Sequence, residues 1–74
     1  MRNNIWFEDA NGQVLLYTSH DHNQTCHIPR IDEDVEFRSP DLSWTIGVVK
    51  KVTYRYKTDI VDIIVLVHVT RVVR

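Results

Sequence analysis

Apolar and polar residues alternate along much of this chain with a period of two. From residue 44 to residue 57, Trp44, Ile46, Val48, Val52, Tyr54 and Tyr56 share one parity. Gly47, Lys51, Thr53, Arg55 and Lys57 share the other. Successive side chains of a strand point to opposite faces, so this stretch predicts a long strand with an apolar and a basic face. Lys50 breaks the apolar parity beside Val49, which predicts a β-bulge there. The last segment alternates again. Val61, Ile63, Val65, Val67 and Val69 form one apolar face, and Ile60, Asp62, Ile64, Leu66, His68, Thr70 and Val72 form the other. A half-buried strand carries mostly polar groups on its outer face. Ile64, Leu66 and Val72 therefore predict that this second face is covered too.

Shorter elements precede these two. Residues 5–7 and 14–17 are β-prone runs separated by Asn11-Gly12, a strong hairpin signal because both residue types tolerate positive φ. A two-residue turn would place Phe7 opposite Leu16 and Trp6 opposite Tyr17. Residues 18–27 predict a polar loop or a ragged strand end. Ile28-Pro29 predicts an extended segment, Asp32-Glu33-Asp34 an acidic turn, residues 35–37 a short strand, and Ser39-Pro40-Asp41 and Lys57-Thr58-Asp59 further turns. No segment sustains helical spacing, and β-branched residues crowd the C-terminal half. The expected fold is all-β, one domain over residues 1–74, as a small five-stranded SH3-like or OB-like barrel. A sandwich of two small sheets is the alternative.

At 74 residues the chain supports one small core, and domains of this size gain from a disulfide, a metal or self-association. Cys26 is the only cysteine, which excludes an internal disulfide and fits a reducing compartment. Residues 1–4 lead into a mixed segment, not an apolar one, and the apolar run 60–69 is short and interrupted by Asp62 and His68. A cytoplasmic location without membrane contact is expected. The net charge of −1 is unevenly divided: residues 1–49 carry three basic and eight acidic side chains, residues 50–74 six and two. An acidic and a basic half can meet different partners, including copies of the same chain.

Ile28-Pro29-Arg30-Ile31, the acidic turn and Val35, followed by the strand from Trp44 to Tyr56, resemble a pattern in small bacterial and phage SH3-like β-barrel proteins. The resemblance covers residues 28–69. It departs from that pattern at the turn, where Asp32-Glu33 stands in place of a glycine. It implies a barrel fold and a phage-derived accessory protein, including one that counters host defence by binding a host factor or a nucleotide signal.

Three constellations could carry chemistry. His20, His22, Cys26 and His27 offer nitrogen and sulfur ligands for a zinc-like ion, although their spacing matches no zinc motif and solvated loop histidines are the simpler reading. Lys51, Thr53, Arg55 and Lys57, with Arg71 on the last strand, could bind phosphate groups. Tyr54 and Tyr56 have the opposite parity and so point to the core side, which weakens a single-strand nucleic-acid reading. Ile64, Leu66 and Val72, with Trp6 and Tyr17, form an apolar patch that predicts a homo-oligomer, most simply a dimer. Catalysis is not expected. Cys26 and His27 are adjacent and would point apart on a strand, and Gly12 and Gly47 are too few for a phosphate loop. No cofactor is implied. The expected function is non-enzymatic: a self-associating protein that binds an anionic small molecule, such as a nucleotide, or a protein partner. A nucleic-acid-binding barrel and a metal-stabilised domain are the alternatives.

Overall fold

A computed structural model describes residues 2–21, 27–39 and 41–74. Among them are five strands and no helix: β1 (Arg2–Glu8), β2 (Val14–Asp21), β3 (Asp34–Arg38), β4 (Trp44–Tyr56) and β5 (Ile60–Val73). They form one sheet in the order β2-β1-β5-β4-β3. β1 and β5 run parallel, and every other neighbouring pair is antiparallel.

The first hairpin has the expected partners, Trp6 with Tyr17 and Phe7 with Leu16, but not the expected turn. Asp9 N bonds to Gln13 O and Gly12 N to Asp9 O, so the loop holds three residues, 10–12. Gly12 supplies the left-handed position at φ 83°, and the Asp9 carboxylate accepts from the N–H groups of Asn11 and Gln13. An extra residue in β2, Leu15, lies between the Phe7–Leu16 and Glu8–Val14 pairs and restores the register. Two irregularities cancel.

β4 carries the predicted bulge. Val49 pairs with Val67 and Lys51 with Leu66, so Lys50 is the extra residue. The backbone of Val49 is then bonded on its other side by Asp32 N and Glu33 O from the acidic turn. The bulge divides the set that shared a parity in the sequence. Val52, Tyr54 and Tyr56 lie on the face of Val49 and Gly47, whereas Trp44, Ile46 and Val48 lie on the opposite face with Lys51, Thr53 and Arg55. Gly47 is required where it stands, because a Cβ there would meet the Val67 side chain and come within 2.7 Å of the His68 carbonyl oxygen.

The core lies on the concave side of a strongly curled half-barrel. Ile5, Phe7, Phe37, Val49, Val61, Ile63, Val65 and Val67 are buried, with Leu15, Ile28, Val35 and Val52 packed against them. The curl can be read from one contact. Phe7 on β1 and Phe37 on β3 are three strands apart in sheet order, about 14 Å in a flat sheet. Their ring centroids lie 5.0 Å apart. The sheet therefore bends until its two aromatic flanks meet, while β2 and β3 remain edge strands.

Candidate functional site

Directly opposed residues of neighbouring strands point to the same face, so the register assigns the convex side row by row. One row is Tyr17, Trp6, Ile64 and Thr53. The next row toward the hairpin loop contains Glu8, Leu66 and Lys51. On the other side lie Ser19, Asn4, Asp62 and Arg55. The expected interface residues Trp6, Tyr17, Ile64 and Leu66 thus share one face with the expected ligand residues Lys51, Thr53 and Arg55.

Two expected members do not join them. β5 has its own bulge: Gly47 pairs with Val69 and Ile46 with Arg71, which leaves Thr70 over, its hydroxyl donating to the Ile46 carbonyl at 3.1 Å. This turns Val72 to the concave side opposite Thr45, away from Ile64 and Leu66. The same bulge brings Arg71, which shares the parity of Val69, to the convex side, but five residues beyond Leu66, roughly 16 Å at the rise of a strand, so that it lies apart from Lys51 and Arg55.

An open groove of about 310 Å³ lies on this face, lined by Trp6, Glu8, Arg55, Lys57, Asp62 and Ile64. Asp62 forms its floor and is buried. Lys57 Nζ lies 2.8 Å from its carboxylate, and Asn4 Nδ2 donates to it at 3.3 Å. The Lys57 hydrogen bond holds the Asp62 carboxyl below its ordinary value of 3.8 against the opposing effect of burial, with Asn4 and the charge of Arg55 adding to the stabilisation. Lys57 is therefore committed to a carboxylate of its own chain. Lys51 and Arg55 face solvent and form no ion pair among the described residues.

The aromatic wall is fixed by polar contacts. Trp6 and Tyr17 have ring centroids 5.0 Å apart at 44°. Tyr17 Oη donates to Asn4 Oδ1 at 3.2 Å, and Ser19 Oγ donates to the same oxygen at 2.9 Å. Arg2 in turn donates to Ser19 Oγ at 2.7 Å and pairs with Asp21 at 2.8 Å. Asn4 thus links the aromatic wall to the acidic floor. Sequence reasoning missed Glu8 and Asp62 as groove residues, and Asn4 as the side chain that joins the groove floor to the aromatic wall. The only signal was Asp62 interrupting an apolar run.

Tyr54 and Tyr56 lie on the concave side, as their parity implied, but toward one end of β4 and exposed, with stacked rings 6.3 Å apart. The expected metal ligands are only partly visible. His22 and Cys26 fall outside the described residues. His20 Nε2 lies 3.2 Å from Thr18 Oγ1, and His27 sits at the rim of a separate cavity of about 270 Å³ with Leu16 and Phe37. Among the described residues no three metal-capable side chains are grouped, and no helix is long and apolar enough to cross a membrane. Comparison of the chain with protein-family models, curated proteins and solved structures gives no match.

Proposed function

We propose that this chain is a non-enzymatic binding protein whose convex sheet face holds an anionic small molecule with a planar ring, a nucleotide being the fitting class. The observation that carries this is the groove between Trp6 and Arg55. An aromatic ring and a solvent-facing guanidinium side by side match the base and the phosphate of one ligand. Lys51 and Thr53 extend the phosphate side, and the Asn4–Tyr17 contact holds the aromatic side in place before binding. The curled five-stranded sheet supports a place among small SH3-like or OB-like barrels, and the single thiol supports residence in the cytoplasm. A phage-derived accessory role that sequesters a nucleotide signal is compatible with such a groove.

Isothermal titration with a nucleoside triphosphate tests the reading. Arg55→Ala should weaken binding at least tenfold, about 1.4 kcal/mol, with an unchanged melting temperature. An unchanged affinity would remove the groove as the site. A second reading is favoured by the same juxtaposition: single-stranded nucleic acid could stack on Trp6 and Tyr17 and track Lys51 and Arg55. A steep fall of oligonucleotide affinity with added salt would select it.

A further inference from the structure

The convex face carries more apolar surface than the groove uses. Ile64 and Leu66 on β5 continue into Val48, Ile46 and Trp44 on β4, forming a narrow band that runs diagonally across the sheet. Trp44 is 41% exposed at its end, and among the described residues no strand lies over this face. The charges beside the band are ordered. In one row Glu8, Leu66 and Lys51 are neighbours on β1, β5 and β4. In another, Arg71, Ile46 and Glu36 are neighbours on β5, β4 and β3. Each row has opposite signs on opposite sides of an apolar residue, and the order of signs reverses from the first row to the second. His68, Val48 and Asp34 form the row between them. Glu8, Lys51, Arg71 and Glu36 form no ion pair among the described residues.

We infer that this face binds a second copy of the chain about a two-fold axis lying along the band. Such an axis brings the β1 side of one copy over the β4–β3 side of the other. Glu8 then meets Lys51 of the second copy, and Arg71 meets its Glu36. Each pairing occurs twice, so Glu8, Lys51, Arg71 and Glu36 are all matched in sign. Two convex sheets touch along a line, and here the apolar residues are confined to a line. Long Lys, Arg and Glu side chains suit the widening gap on either side. The inference uses the same convex face as the proposed ligand but does not require that ligand.

Sedimentation velocity in nucleotide-free buffer tests it, so the result is independent of whether the groove binds anything. The wild-type chain should sediment as a dimer. Glu36→Arg should weaken the dimer at least tenfold by placing like charges together, and Glu36→Arg combined with Arg71→Glu should restore it. Circular dichroism checks that the variants fold, and both positions are exposed. A wild-type monomer, a dimer indifferent to Glu36→Arg, or a double variant no better than the single one would each overturn the arrangement.

Discussion

Leu42 occupies a backbone conformation that suits glycine. Its φ is 69°, close to the 83° of Gly12. The two loops are closed in the same way, Ser39 N bonding to Ser43 O and Leu42 N to Ser39 O, as Asp9, Gly12 and Gln13 do in the first. Each also uses an aspartate to hold the turn. Asp41 accepts from Ser43 N at 3.1 Å and Ser43 Oγ at 2.6 Å, which keeps its carboxyl below the ordinary value. A left-handed L-residue costs roughly 1–2 kcal/mol, and Leu42, 67% exposed, recovers little of that by burial. Leu42→Gly is expected to raise the unfolding free energy by about 1 kcal/mol, seen as a higher urea midpoint at constant slope. Asn11-Gly12 announced its turn because glycine is the residue that left-handed geometry selects. Nothing about a leucine announces the same geometry, so the second loop was legible as a turn but not as a strained one.

At the scale of elements, β5 is the organising strand, because it lies in the middle of the sheet and its two faces serve different ends. Its concave valines build the core. Its convex side carries Asp62, whose contacts tie β5 to Asn4 on β1 and to Lys57 beyond β4. The Asp62 carboxyl is held below 3.8 in the folded chain, so the native state favours its ionised form. That contribution is complete above the ordinary carboxylate value and is lost as pH falls through the lowered one. Asp62→Asn should therefore destabilise the protein near neutral pH, and the gap from wild type should close in acid. Denaturant midpoints of both proteins across that range measure it, and a gap independent of pH would contradict the assignment. The strands themselves were legible from their period of two. The bulges were legible only when the extra residue clashed with its pattern. Lys50 did, being charged within an apolar parity. Leu15 did not, since Val14 and Leu16 beside it are apolar as well. Thr70 did not, since threonine suits either face, and this hid the turning of Val72 to the concave side.

The whole molecule is held in shape by the meeting of β1 and β3 flanks across the curl. Phe7 and Phe37 close it, and Phe37 is the member on an edge strand. Phe37→Ala should cost about 3 kcal/mol, a large share of the stability of so small a domain, and should lower the thermal midpoint sharply. The all-β class and the number of strands were legible because alternation is local. The strand order was not. The parallel pairing of β1 with β5 joins opposite ends of the chain, and neither segment carries a local mark of its partner. The site was half legible for the same reason. The basic residues share one strand and could be grouped by parity, whereas Trp6 reaches Arg55 only through that distant pairing. The bulges have one further consequence. Leu15, Lys50 and Thr70 are each the single residue by which a strand exceeds the segment it lies against. Excising any one of them would shift no pair, so the chain can change length at three places inside its strands without losing its frame. What such a deletion removes is local bend, together with the core packing of Leu15 or the Thr70 hydroxyl bond to Ile46 where those are the residues lost, and the half-barrel would open a little with each.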